Sequence, residues 1–362
     1  MDLPNSLNAL LPEELDELLP GVRESEARKL VSLAHRCGGL PEVAPAGMRR
    51  RLIQLARDRL EVPHLDLLAE RPSRIDPFVK YAFGTPAGGV VEAVRIPLEH
   101  PRRFSVCVSS QVGCGVGCTF CGTARLGFRR NLAAWEIVDQ VQWVRSRLPE
   151  GARVHGVVFQ GMGEPLANLA NVLRAIRVFW EPCAMAIDAN NVTVSTSGGA
   201  GRLERLVREQ SRVRIALSIG AAIPEKRAQL IPTERHQPLA SSVAVLADHT
   251  RNTRNAPLFA YTLLRDVNDT PEDVRALIEL VERFVDRAGV KPRVSLIPYS
   301  PLGTDDAYRP TDEARVTMFR DLIGSRGIPV LRRYSGGADI AAACGQLGLE
   351  LANTESGKRK TG

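Results

Sequence analysis

No apolar run in this chain approaches the roughly 18 residues that a membrane span requires, so a membrane helix is excluded from the reading. The N-terminal stretch MDLPNSLNALLPEELDELLP is acidic and lacks a basic start followed by an apolar segment, so it does not read as a secretory leader. The expected location is the cytoplasm, with no membrane partner. There is no internal repeat. Lysine is scarce: only six of the 48 basic residues are Lys, and the rest are Arg. The net charge is +7. An Arg-rich, mildly basic chain suits phosphate and base contacts and fits a nucleic-acid partner, although a plain compositional bias towards Arg gives the same numbers. Cysteine is also limited, to seven residues. In a reducing compartment these are not structural disulfides, and clustered thiols there bind metal or react.

What is present is organised in two rhythms. From residue 1 to about 75, EELDELL, ESEARKLVSLAHRC and GMRRRLIQLARDRLEV carry apolar residues at helical spacing, which predicts a small helical accessory domain. Between 76 and 98, FVKYAF and VVEAVRIP flank the turn GTPAGG and read as a linking β-hairpin. From 99 to 350 six β-rich runs alternate with helical stretches: SVCVSS, VHGVVFQ, NVTVSTS, VRIALSIG, LFAYTLL and RVSLIPY. Such alternation implies α/β architecture with a parallel sheet and right-handed crossovers. Six units are too few to close an eight-stranded barrel, so an open, partial (β/α)6 barrel is expected, with IPVLRRY as an added edge strand. Residues 351–362 read as a disordered basic tail. Active groups in these folds sit at the C-terminal ends of the strands, so QGMGEP, STSG and SIGAA should line one rim with the segment that follows the first run.

That segment, SSQVGCGVGCTFCGTARLGF, spaces three cysteines as Cys114-x3-Cys118-x2-Cys121. A cubane of four irons and four sulfides takes one thiolate per iron, so three thiols leave one iron open to an outside ligand. The competing reading is a zinc site completed by Cys107 or a His, but zinc favours paired C-x2-C units and only one exists here. Taken alone, Cys107 and Cys344 read as small buried apolar residues, and Glu92 reads as a strand glutamate facing solvent. Cys37 and Cys183 match no motif and read as core packing. Trp135, Trp143 and Trp180 lie on predicted helices and read the same way.

C-x3-C-x2-C after the first strand of a βα array, with Phe120 before the last cysteine, resembles the radical S-adenosylmethionine (radical SAM) superfamily. CVSSQVGCGVGCTFCGTARLGF together with GMGEP, VTVSTSG, DIAAACGQL, YTLLRDVND and the preceding hairpin resembles, over about residues 76–350, the RlmN/Cfr family of radical SAM RNA methyltransferases. The resemblance implies a radical SAM core over 99–350 and a [4Fe-4S] cluster on Cys114, Cys118 and Cys121, with S-adenosylmethionine on its open iron. It implies that Cys344 carries a methyl group as S-methylcysteine, and that Cys107 is the resolving thiol in a transient disulfide with it. Glu92 falls where the family has its proton acceptor. SAM contacts fall to Gly163, Glu164, Ser195, Ser218, Ile219, Gly220 and Ser300. The implied substrate is an adenine ring carbon, C2 or C8, in structured ribosomal or transfer RNA. The implied partner is a flavodoxin-type electron donor, and the implied assembly is a monomer.

Three departures stand out. Gly220 replaces the histidine of a usual Ser-Leu-His, Ser300 replaces a usual Asn, and LIPTERHQPL lacks an expected Asn-Lys/Arg pair. They touch cofactor and substrate handling and leave the five chemistry-bearing cysteines intact. Two other readings therefore stay open: the same chemistry on a non-RNA substrate, and a zinc-stabilised RNA-binding protein.

Overall fold

The computed structural model describes residues 5–349, so the basic tail read at 351–362 lies outside the described residues. The chain opens with α1 (Leu15–Leu18), α2 (Glu24–Cys37) and α3 (Arg50–Arg59). α2 is set by local chemistry. Glu26 returns its carboxylate to the Arg23 amide at 3.2 Å, Leu30, Val31 and Ala34 make a buried stripe, and Gly38 ends the helix at φ 67°. The helices supply Leu15, Leu30 and Ile53 to the same continuous apolar core that lies under the sheet.

Three antiparallel strands follow, β1 (Asp66–Pro72), β2 (Val79–Gly84) and β3 (Val90–Pro97). The β2–β3 pair is the hairpin expected from the sequence. β1 was not expected: it falls within the span read as helical. DLLAERP is mostly exposed and carries charges on an edge, so neither an apolar run nor β-branching announces it.

β4 (Arg103–Cys107) pairs antiparallel with β3 and opens the parallel array. Before the first crossover the chain makes a small two-stranded sheet, β5 (Gln111–Gly113) with β6 (Phe128–Asn131). The alternation then runs α4 (Ala134–Ser146), β7 (Arg153–Phe159), α5 (Leu169–Trp180), β8 (Val192–Thr196), α6 (Ala200–Glu209) and β9 (Arg214–Ser218). It continues through α7 (Pro224–Leu230), α8 (Leu239–Thr253), β10 (Leu258–Leu263), α9 (Pro271–Ala288), β11 (Arg293–Pro298), α10 (Glu313–Ser325) and β12 (Val330–Arg332). The main sheet orders its strands β1-β2-β3-β4-β7-β8-β9-β10-β11-β12 and does not close on itself. It is the expected open α/β array, and the run IPVLRRY forms the parallel edge strand β12.

Trp135 is buried, and Trp143 packs beside the core while its indole donates to the Leu65 carbonyl at 3.1 Å. Cys183 packs partly buried against the core. Cys37 corrects the core-packing expectation: it is exposed, because it is the last residue of α2 and the chain turns away at Gly38.

Candidate active site

Two glycines shape the cysteine loop. Gly113 sits at φ 73°, and a Cβ there would lie 1.7 Å from the Gly127 carbonyl oxygen. No other residue lets the β5–β6 ends close so tightly. The Gly127 carbonyl accepts from the Cys114 amide at 3.0 Å, and the Thr119 amide donates to Leu230 at 3.0 Å. Cys114, Cys118 and Phe120 pack over a small apolar cluster at the strand ends that includes Val116, Leu230, Ile231 and Tyr299.

The three thiols face one cavity, whose other walls come from the ends of β7, β8, β9, β10 and β11. Burial pushes the Cys114 thiol up to about 12 and Cys118 well above its ordinary range, and the neighbouring thiols add to both rises. Arg227 opposes the shift at Cys118. Among the described residues no three His, Cys, Asp or Glu side chains gather tightly enough to share one ion. A cubane, which spreads its thiolates over separate irons, fits three thiols on one wall.

The rest of the lining is amphiphilic. Glu164, Ser195, Ser197 and Ser218 give it polar groups, while Ile231 and Ala260 give it apolar ones. This mixture suits a cofactor with an amino-acid head and a nucleoside body. Glu164 ties the β7 and β8 loops together, accepting from the Ser197 amide at 2.9 Å and the Leu166 amide at 3.0 Å. Its burial raises its pKa, and those same bonds oppose the rise. Gly163 stands at φ 101°, with Gln111 where its side chain would be.

A second cavity adjoins the first. Cys107, the last residue of β4, lines it together with Cys344, Gln160 and Arg333. Burial pushes the Cys107 thiol up to about 12 and the nearby Cys344 adds to this, whereas Arg333 and the Gln160 amide pull it down. Arg333 is fixed by Gln160, to which it donates at 2.7 Å. Cys344 lines both cavities, as do Cys121, Gln160, Gly161 and Gly345. Cys107 and Cys344 are free thiols.

The loop that bears Cys344 is held from several sides. The Cys344 amide donates to Ser335 Oγ at 2.9 Å. Asp76 accepts from the Gly337 amide at 2.8 Å and from the Tyr334 hydroxyl at 2.9 Å. The Gly122 amide, just past the cysteine motif, donates to the Gly345 carbonyl at 2.7 Å, and Thr123 Oγ1 donates to Leu347 at 2.7 Å.

Glu92 is not the solvent-facing strand residue that its context alone allows. It is 2% exposed on β3, 3.1 Å from an equally buried Lys80 Nζ, and its Oε2 accepts from the Gly348 amide. It lines neither cavity in this arrangement and sits behind the Cys344 loop.

Of the sequence-derived cofactor contacts, Gly163, Glu164, Ser195, Ser218 and Gly220 line the cavity beside the cysteines. Ile219 and Ser300 do not. Ile219 is fully buried, with its amide on the Ala260 carbonyl and its own carbonyl on Arg227. At the end of β11 Tyr299 faces the cavity, and Ser300, the next residue, does not. Gly220 has a reason to be glycine: it stands at φ 68°, and a Cβ would lie 2.7 Å from Ile231 Cδ1.

Arg227 was not anticipated. It is completely buried, pairs with Glu234, and donates to the carbonyls of Ser197, Ser218 and Ile219, so it clamps the ends of β8 and β9. A single Arg in PEKRAQL carries no sequence signal for this role. Gln160 and Arg333 were missed for the same reason.

Known proteins share this geometry. The chain superposes on a solved radical SAM methyltransferase from Sphaerobacter thermophilus with a TM-score of 0.84 and 33% identity, covering 96% of this chain and 99% of that one. Its fold and class are thus those of a radical SAM methyltransferase. It is 47% identical to a "Probable RNA methyltransferase" of Sorangium cellulosum, covering 96% of this chain and 93% of that protein. It is 39% identical to the dual-specificity RNA methyltransferase RlmN of Syntrophobacter fumaroxidans, covering 93% and 96%. No family model matches the chain. The chain belongs to the RlmN family of radical SAM RNA methyltransferases. Among the described residues no helix is long and apolar enough to cross a membrane.

Proposed function

We propose that this enzyme methylates carbon 2 or carbon 8 of an adenine in structured ribosomal or transfer RNA, with Cys344 as methyl carrier, Cys107 as resolving thiol and Glu92 as proton acceptor. The observation that carries the reading is the place of Cys344, on the wall shared by the three-thiol cavity and the Cys107 cavity. A sulfur there can meet a cofactor on one side and a second thiol on the other.

Cys114, Cys118 and Cys121 would hold a [4Fe-4S] cluster, and Glu164, Ser195, Ser218 and the backbone at Gly163 and Gly220 would hold S-adenosylmethionine. When bound, these groups supply methyl groups and a radical able to abstract hydrogen, which an electron-poor ring carbon requires because it is no nucleophile. The protein's residues do the rest. Cys344 presents its sulfur on a loop fixed by Ser335 and Asp76. Cys107 attacks that sulfur, so that an S–S bond forms and the C–S bond breaks with its electron pair going to the product carbon. Arg333 and the Gln160 amide favour the thiolate this attack needs. Glu92 takes the ring proton once the Gly348 segment releases it. The Cys107–Cys344 disulfide is then reduced by two electrons and two protons from an external thiol reductant, while a flavodoxin-type donor would supply the single electrons that cofactor cleavage requires. The helices that precede β1 serve as an accessory unit, and the enzyme works as a monomer.

Anaerobically reconstituted protein should be brown, hold about four irons per chain, and consume two cofactor molecules per methylated base. Cys344→Ala should abolish methylated adenosine in nucleoside mass spectrometry, and Cys107→Ala should leave RNA covalently attached to the protein. RNA methylation that survives Cys344→Ala overturns the reading.

A further inference from the structure

A cleft outside both reacting cavities is built from polar groups that lack partners. It lies between the end of α2 (His35, Arg36) and the outer face of α4 (Gln142, Arg145), with His64 at its side, and shares no lining residue with either cavity. His35 is 2% exposed, yet neither ring nitrogen has a hydrogen-bond partner. A buried Nη1 of Arg145 and Oε1 of Gln142 are also unpaired. Four such atoms in one cleft are costly unless something fills it.

The charges say what. Among the described residues neither Arg36 nor Arg145 forms an ion pair, and the two lie close enough for Arg36 to lower the Arg145 pKa. His64 places Nδ1 2.9 Å from Asp139 Oδ1 and Nε2 2.7 Å from the Gly38 carbonyl oxygen. Both neighbours only accept, so both ring nitrogens carry protons and the imidazole is a cation. Its pKa is raised accordingly, to about 8, first by the Asp139 bond. The one carboxylate in the cleft, Asp139, is fully buried and already takes His64 and the Leu65 amide at 2.7 Å. The cleft thus has surplus positive charge with donors turned inward.

We infer that this cleft is a second ligand site and that it binds a sugar-phosphate unit of the RNA backbone, with Arg36, Arg145 and His35 on the phosphate and Gln142 Oε1 on a ribose hydroxyl. Guanidinium pairs recognise phosphate oxygens by shape as well as charge. A free phosphodiester offers no donor to Gln142, whereas the neighbouring 2′-hydroxyl does. The RNA source rests on the function proposed above; the phosphate chemistry does not.

Two measurements on the full-length reconstituted protein test this. In the first, inorganic phosphate is titrated while the His35 and His64 imidazole signals are followed by NMR. They should shift in the wild type and stay still in Arg36→Gln/Arg145→Gln. In the second, binding of a structured ribosomal RNA fragment is followed against salt. The double variant should bind about tenfold more weakly, with a salt slope reduced by about two, and Arg36→Lys should retain most of the affinity. Cofactor cleavage by dithionite-reduced protein should be unchanged in the double variant, which shows that it folds. A phosphate response without an RNA effect overturns the RNA assignment and leaves a site for a smaller phosphate compound. An RNA effect without a phosphate response shows diffuse charge and overturns the built site, as does silence in both. Neither result depends on whether Cys344 carries a methyl group.

Discussion

The Gly348 amide donates to Glu92 Oε2 at 2.7 Å, four residues beyond Cys344, while Lys80 Nζ stands 3.1 Å from the other carboxylate oxygen. One carboxylate on the antiparallel extension of the sheet thus holds the loop that carries the thiol. Glu92→Gln should cost up to about 3–5 kcal/mol in urea unfolding, because it removes a buried carboxylate that faces the Lys80 ammonium and accepts from the Gly348 amide. Lys80→Met combined with Glu92→Gln should recover most of that loss. Equal stability of wild type and Glu92→Gln would show that the pair is not desolvated.

Asp76 provides a cleaner handle on the loop, since it touches neither thiol. Asp76→Ala removes the acceptor for the Gly337 amide and the Tyr334 hydroxyl. RNA methylation should fall at least tenfold and 5′-deoxyadenosine release far less, since a loosened loop misplaces Cys344 directly and reaches the three-thiol turn only through the Gly122–Gly345 hydrogen bond. Parallel loss of both activities would place Asp76 in the wrong role.

Gly113→Ala should prevent the cysteine loop from closing. Its Cβ would lie 1.7 Å from the Gly127 oxygen, whereas a Cβ at Gly21, with almost the same φ of 74°, meets nothing within 4 Å. Gly21→Ala should therefore cost only the roughly 1–2 kcal/mol of left-handed backbone. Gly113→Ala should also drop the iron content of reconstituted protein by more than half. Iron analysis and thermal melts of the two variants separate backbone strain from steric clash.

Stability should depend on pH through His64. Its pKa is raised to about 8 from 6.5, so the Asp139 pairing contributes fully below pH 6.5 and is lost as pH rises through 8. The imidazole is partly exposed, so the effect should be about 1 kcal/mol. Urea midpoints at about pH 6 and about pH 9, in wild type and His64→Gln, check it. The same pH trend in both would assign it to other groups.

Much of this was legible in the sequence. Parallel strands buried on both faces read as short apolar runs, and the C-x3-C-x2-C spacing states its chemistry through the number of thiols. What was hidden depends on contacts between distant segments. The edge strand at Asp66–Pro72 forms because β2 offers it a partner, despite its charges. Arg227 serves by reaching three carbonyls on two different loops. Cys37 looked like core because cysteine usually is, but position at a helix end decided its exposure. Just past the end of β11 the chain gives the cavity to Tyr299 and not to Ser300. Glu92 was picked out by motif, while its bond to Gly348 joins residues that no local pattern connects.

Gly122 lies against the carbonyls of Gly345, Gln346 and Leu347, the nearest of which would stand 3.2 Å from an added Cβ. Through this contact and the Gly122 amide's bond to the Gly345 carbonyl, the seating of the Cys344 segment is coupled to the order of the turn after Cys121. By linkage, whatever stiffens the turn after Cys121 tightens the grip on Cys344, and whatever pries Cys344 away slackens the turn by the same free energy.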